Sequence, residues 1–192
     1  MPEYKTANPR KKIPAFTLGK ILSKCEQERI EPWVQALTVL LWVFGIRIGE
    51  AEKLRKLDFV IKDGYLWVDC PPEKNPNKPD RVLPISLNTP HLKVLIDYVG
   101  TLEPDQIFMP MHRTTYWRRL KKMDEELSAH VFRHNRTTQI SLTKPHEFEL
   151  QSWLGHADTR MSHKYMHESG VFAIDLGKRL KIEGEENNGG VK

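Results

Sequence analysis

The chain has 192 residues, enough for one domain with a hydrophobic core and only marginally enough for two small ones. Its formal net charge of +5 favours an anionic partner but does not require one. Two cysteines, Cys25 and Cys70, are too few for a disulfide framework, which favours a reducing cytoplasm. The most apolar run, 34–44, is too short to cross a bilayer, and no apolar stretch follows the basic N-terminus. We therefore expect neither a secretory signal nor a membrane partner.

Residues 1–16 are basic and proline-rich, and they predict an arm ahead of the folded domain. Thr17 can cap a first helix, and Pro32 suits the first turn of a second, strongly apolar helix that ends at Gly45. A third helix is expected over 48–57.

The apolar period then changes from helical to alternating, which predicts two strands over 65–68 and 81–85. Four prolines in the connecting loop, 71–80, stop the strand ladder and leave Lys74 and Lys78 exposed. The sequence therefore predicts a β-hairpin with a lysine-bearing loop.

Helical patterns return in the second half, at 91–99, 115–127, 130–141, 145–154 and 161–166, followed by an amphipathic stretch over 171–180. Residues 181–192 have the composition of a disordered tail. The predicted fold is mainly α with a small antiparallel β-sheet (α+β), as one domain over 17–180.

His130 and Arg133 stand three residues apart near the start of a helix, so both side chains share a face that favours anions. This pair could grip a phosphate, although an isolated pair of this kind is more often a solvated surface feature. His156 follows a glycine, and Tyr165 lies on a short predicted helix nine residues later. Each of these features is unremarkable alone.

In order, these features resemble the catalytic domain of the tyrosine recombinases, the family of phage integrases and Xer-type recombinases. The resemblance runs over about 17–180 and rests on the Gly-x-Arg-x-x-Glu box at 45–50, a hairpin lysine, His130-x-x-Arg133-His134, Leu154-Gly155-His156 and Tyr165. It implies site-specific DNA cleavage and rejoining through a 3′-phosphotyrosyl link to Tyr165, without cofactor or metal.

The chemistry accounts for these residue types. Charge builds on the non-bridging oxygens during attack on a phosphodiester, and Arg47 and Arg133 can each donate two hydrogen bonds to it. A phenol with a reference pKa of about 10 needs a base, for which His130 is the candidate. His156 is expected to donate a hydrogen bond to a phosphate oxygen.

The resemblance implies that a hairpin lysine protonates the departing 5′-hydroxyl. Lys74 is preferred because it stands first after the strand, with Lys78 as the alternative or as a DNA contact. Glu50, one turn after Arg47, is expected to hold an arginine or histidine in place.

A basic run beside Trp117 is expected to meet the DNA backbone, through Arg118, Arg119, Lys121 and Lys122. The remaining tryptophans, Trp33, Trp42, Trp67 and Trp153, are expected in the core.

Members of the family usually carry an N-terminal helical domain, and only the short arm precedes the resemblance here. The chain is therefore expected to be a separate catalytic domain or a minimal recombinase. Its expected partner is double-stranded DNA in the cytoplasm, and the protein is expected to be prokaryotic or viral. The amphipathic stripe over 171–180 suggests docking on another copy in a DNA-bound tetramer, with docking on its own domain as the alternative in a free monomer. A type IB topoisomerase and a non-catalytic DNA-binding regulator of the same fold remain alternatives.

Overall fold

The computed structural model describes residues 17–73, 80–143, 145, 147–155, 177, 178 and 180. Its helices are α1 (Leu18–Gln27), α2 (Pro32–Phe44), α3 (Ile48–Ala51), α4 (Leu92–Gly100), α5 (Arg113–Met123), α6 (Ala129–Leu142) and α7 (Glu147–Leu154). Its strands are β1 (Phe59–Lys62), β2 (Tyr65–Cys70) and β3 (Arg81–Ser86). The predicted class, mainly helical with a small antiparallel sheet, is confirmed.

The first helix begins, and the second helix begins and ends, where Thr17, Pro32 and Gly45 predict. The Thr17 hydroxyl accepts a hydrogen bond from the Lys20 amide at 3.3 Å, and Pro32 opens α2. Gly45 closes α2 in the left-handed conformation, with φ +65°. The chain can therefore turn sharply after α2, toward Arg47.

Helix α2 is the centre of the core. Every apolar side chain along it is buried, and it packs against α1, α4 and α6. Burial of one such aliphatic side chain stabilises a fold by about 1.5–3 kcal/mol. The packing of α2 therefore contributes a large share of the stability of the core and fixes the positions of the neighbouring helices. Thr38 is its buried polar residue, and its hydroxyl bonds to Val34 O and to the Tyr116 hydroxyl.

The sheet has three antiparallel strands in the order β1-β2-β3, one more than the sequence predicted. The added strand β1 pairs with β2 across a tight turn at Asp63 and Gly64, where φ is +53° and +79°. Both values fit the two-residue type I′ hairpin, for which Asp-Gly is a strong signal. Strand β1 is therefore one edge of the sheet, and its residues Val60 and Ile61 are exposed.

Two further expectations need correction. Trp67 is not in the core: on β2 only Leu66, Val68 and Cys70 point inward, and the indole of Trp67 donates to Lys62 O on the other face. The third helix ends at Ala51 instead of 57, because the chain leaves it to form an isolated bridge between Arg55 and Ile107.

Helix α5 starts two residues earlier than predicted and ends at Met123. His112 precedes it, and its imidazole accepts a hydrogen bond from the Thr114 amide at 3.3 Å. Asp124 is extended, with φ −163°, which stops the helix.

In the part of the chain that the structure describes, no helix is long and apolar enough to span a bilayer. The predicted N-terminal arm, the helix over 161–166, most of 171–180 and the tail lie outside the described residues.

Candidate functional site

The site is built at the corner between α2 and α3. Gly45 ends α2, Ile46 is fully buried, and Arg47 is the N-cap residue of α3 with an extended backbone. The Arg47 side chain is 33% exposed. The buried helix α2 thus places the partly exposed guanidinium of Arg47 at the surface.

Glu50 is a buried carboxylate that ties this corner together. It is 2% exposed, and its Oε2 accepts hydrogen bonds from the Arg47 amide at 2.6 Å and from Arg81 Nη2 at 2.7 Å. Its Oε1 lies 3.3 Å from Arg47 Nη1. A buried charge is stable only when paired and hydrogen-bonded, and Glu50 has both kinds of partner.

Arg133 reaches the same corner from α6. Its Nη1 donates to Gly45 O at 2.6 Å, and its Nη2 donates to Leu154 O at 2.7 Å. Arg47 Nη1 lies 3.4 Å from the same Leu154 oxygen. The two arginines singled out in the sequence therefore converge on one oxygen atom.

Burial, and after it the nearby charges of Arg47 and Arg81, lower the pKa of Arg133 to about 10, while Glu50 and Glu73 act in the opposite direction. The guanidinium is still charged at neutral pH. Since cations repel one another here, an incoming anion would relieve the repulsion, which favours phosphate binding.

His130, the second residue of α6, is exposed at the lip of an open apolar groove of about 320 Å³. Ile48, Tyr116, Trp117 and Leu120 also line this groove. His130 therefore shares a groove with Ile48, the residue that follows Arg47.

Four of the predicted site residues, Lys74, Lys78, His156 and Tyr165, lie outside the described residues. The described chain neighbours of Lys74 and His156, which are Glu73 and Gly155, do reach arginines of this corner. Glu73 Oε2 lies 3.8 Å from Arg47 Nε, and Gly155 lies directly against the guanidinium of Arg81.

The basic residues of α5 differ in their surroundings. Arg118 and Lys122 are exposed, and so is half of the Trp117 side chain. By contrast, Arg119 pairs with Glu31, with Nε 2.9 Å from Oε1, and Lys121 Nζ donates to Glu125 O. The sequence alone did not separate these two classes.

Sequence reasoning missed two members of the site, Arg81 and Glu73. Neither belongs to a motif, and both reach the arginines only through tertiary contacts. The position of Arg81 at the start of a strand beside a lysine-bearing loop was the available signal. Among the described residues, no group of three or more His, Cys, Asp or Glu side chains could hold a metal ion.

Comparison with known proteins gives a consistent result. Residues 11–170 match the phage integrase family. The chain is 24% identical to tyrosine recombinase XerD of Listeria innocua over 166 residues, covering 76% of this chain and 54% of the relative. Identity to XerD of Proteus mirabilis is 27% over 161 residues, covering 74% and 50%. The chain thus spans about half the length of these two relatives.

Two solved structures share the fold. The XerH site-specific recombinase, crystallised in a pre-cleavage complex with difH substrate, superposes with a TM-score of 0.55 at 20% identity, covering 89% of this chain and 54% of that one. An integrase from mycobacterium phage Brujita superposes with a TM-score of 0.53 at 12% identity, covering 96% and 63%.

Proposed function

We propose that this chain, which belongs to the phage integrase family, cuts and rejoins DNA at specific sites through a covalent 3′-phosphotyrosyl link to Tyr165. The observation that carries the proposal is the convergence of Arg47 and Arg133 on the Leu154 oxygen, at 3.4 and 2.7 Å. Two planar cations that meet at one oxygen can also hold the non-bridging oxygens of one phosphate.

The reaction exchanges one phosphodiester bond for another. The Tyr165 oxygen attacks phosphorus and passes its proton to His130, while the bond from phosphorus to the 5′-oxygen breaks. Lys74, or Lys78 in its place, protonates that leaving oxygen. Arg47 and Arg133 stabilise the charge on the pentacoordinate phosphorus centre, and His156 donates a further hydrogen bond. Attack by a 5′-hydroxyl on the phosphotyrosine reverses these steps and rejoins a strand.

Glu50 has a supporting role in this scheme. Its carboxylate accepts from both the backbone and the side chain of Arg47, which restricts the rotamers that Arg47 can adopt. A pre-organised donor costs no reorganisation when charge develops, and this is the principal advantage of such a site.

A suicide duplex, nicked close to the cleavage point so that the cut fragment diffuses away, tests the proposal on a panel of candidate sites. Wild-type protein should form a complex that survives denaturing electrophoresis, and Tyr165→Phe should form none. Tyr65→Phe is the matched control, since this tyrosine lies on β2 and should leave the complex unchanged.

Failure to trap any complex at high protein concentration would count against catalysis. Site-specific DNA binding that Tyr165→Phe leaves intact would then favour the regulator of the same fold. Relaxation of supercoiled DNA without recombinant products would instead favour a topoisomerase.

We also propose a cytoplasmic tetramer on double-stranded DNA, with the stripe over 171–180 docking between copies. Two described residues of this stripe pack within their own chain: Leu180 is 4% exposed, and an ideal Cβ on Gly177 would overlap Pro84 O of β3. This packing fits docking of the stripe on its own domain in the free chain, and docking between copies is proposed for the DNA-bound state. Deletion after Gly170 should weaken assembly on DNA, measured by light scattering, more than single-strand cleavage. Equal loss of both would reject this arrangement.

A further inference from the structure

Arg81 is a third guanidinium at the site. It is the first residue of β3, where the register sets it opposite Cys70 of the central strand. Its side chain is only 12% exposed, and its Nη2 donates to Glu50 Oε2 at 2.7 Å. The sheet therefore contributes a charged group to a corner otherwise built from helices.

The other terminal nitrogen of Arg81, Nη1, lies against the turn that follows α7. Gly155 has φ +61°, and an ideal Cβ there would overlap Arg81 Nη1 and lie 2.9 Å from Cζ. The guanidinium thus fills the space that the absent side chain leaves open. This turn carries Leu154 O, on which Arg47 and Arg133 converge, and His156 is the next residue of the chain.

The third guanidinium nitrogen of Arg81, Nε, gives a further indication that this side chain is held in a fixed position. Arg81 Nε is buried and has no hydrogen-bond partner among the described residues. A buried donor without a partner is unfavourable, so ordinary packing would not select this placement. The two Nη contacts, to Glu50 and to the turn, hold the guanidinium there.

We propose that Arg81 is a positioning residue: it fixes Glu50 under Arg47 and holds the Leu154–Gly155 turn that both arginines contact. The inference rests on the proposed function. It adds that the start of β3, directly after the lysine-bearing loop, sets the geometry of the two phosphate-binding arginines. Arg81 acts through Glu50 and the turn and need not touch DNA.

The test compares Arg81→Ala and Arg81→Lys with Arg29→Ala, an exposed arginine on the loop after α1. Each protein is mixed in excess with the nicked duplex, and the rate of adduct formation is measured at saturation. Arg81→Ala should react about 10- to 100-fold more slowly, the loss typical when an outer-shell partner of a site is removed. Its half-saturating DNA concentration should stay near the wild-type value, and Arg29→Ala should match wild type in both.

Rescue separates positioning from simple folding. Guanidinium ion, added well below denaturing concentrations, should restore part of the rate of Arg81→Ala, because it fits the space between Glu50 and Gly155. Arg81→Lys should stay slow, since one ammonium cannot reach both partners at once. A slow rate that follows thermal destabilisation and shows no rescue would overturn the proposal, as would a wild-type rate in Arg81→Ala.

A second experiment tests the contact between Arg81 and Gly155 without DNA. Gly155→Ala is made in the wild-type and Arg81→Ala backgrounds, and unfolding by denaturant is followed. The substitution should destabilise less in Arg81→Ala, because only the strain of the positive φ remains there. Additive effects would reject the contact. A wild-type protein that forms no adduct would reject the proposed function and the reaction role of Arg81 with it, whereas the unfolding result still reports on the contact.

Discussion

Two groups of basic residues use the same chemistry in opposite surroundings. In the corner between α2 and α3, Arg47, Arg81 and Arg133 are held by protein oxygens. On α5, Arg118 and Lys122 are exposed to solvent. Buried and bonded cations have fixed geometry, while exposed ones supply long-range attraction that salt screens. Bonding to protein oxygens therefore separates the arginines suited to stabilise a transition state from the cations suited to attract a polyanion.

Loss of Arg133 should have the largest effect. Arg133→Gln removes a cation from the point where both guanidiniums meet, and removal of one such donor from a site that stabilises developing charge costs about 10²- to 10³-fold in rate. The measurement is the single-turnover rate of adduct formation. Arg118→Gln, which loses the same charge on α5, should react at the wild-type rate when DNA is saturating.

A similar fall in rate for both variants at saturation would contradict this division, because it would show that bonding to protein oxygens does not separate the two groups.

The double variant Arg118→Gln/Lys122→Gln should have a smaller effect of a different kind. Its affinity for DNA should fall, and the slope of log K against log salt should decrease by about 0.9 for each lost phosphate contact. The saturated rate should not change. Titration of a labelled duplex at several salt concentrations measures the slope.

Lys93→Gln is the control, since Lys93 pairs with Asp97 on α4. A salt slope equal to that of the double variant would show that only net charge matters.

Disruption of the ion pair between Arg119 and Glu31 should have the smallest effect. It tests to which of the two groups of basic residues Arg119 belongs. The hydrogen bonds from Arg119 lower the pKa of Glu31. Since the folded-state pKa lies below the unfolded one, the pair stabilises the fold above the ordinary glutamate pKa. This stabilisation is lost as the pH falls through the lowered value. Glu31→Gln should therefore reduce the unfolding midpoint slightly at neutral pH and not at strongly acidic pH.

The same variant releases Arg119, which should steepen the salt dependence of DNA binding toward that of an exposed cation. Glu28→Gln, an exposed glutamate at the end of α1, controls for the change in net charge. If both variants bind DNA alike, Arg119 belongs with the exposed group in spite of its pairing.

Local signals explain which parts of the fold the sequence could predict. Thr17, Pro32 and Gly45 fix helix ends through capping and backbone preference, and those ends are correct. Strand β1 was missed because its residues do not alternate in burial, although Asp63-Gly64 marked the hairpin. The short α3 depends on a bridge to Ile107, more than fifty residues away, which no local pattern reveals.

The candidate site follows the same rule. Arg47, His130 and Arg133 stand in recognisable spacings, so sequence alone could nominate them. Arg81 enters only because β3 pairs with β2 and the α7 turn folds back onto it. Long-range contacts of this kind leave no periodic trace in the sequence.

The left-handed glycine that ends α2 bears on how mutational screens of this protein are interpreted. Gly45 has φ +65°, and an ideal Cβ there would lie 3.0 Å from the Arg136 side chain. Most L-residues other than Asn and Asp would cost about 1–2 kcal/mol in backbone strain alone at this position. In a saturation library scored by formation of the covalent DNA adduct, position 45 should be nearly as intolerant as position 47. Positions that tolerate no substitution in such a library therefore include both residues that contact the phosphate and residues that shape the corner between α2 and α3. A parallel screen for folded protein is needed to tell these two kinds of position apart.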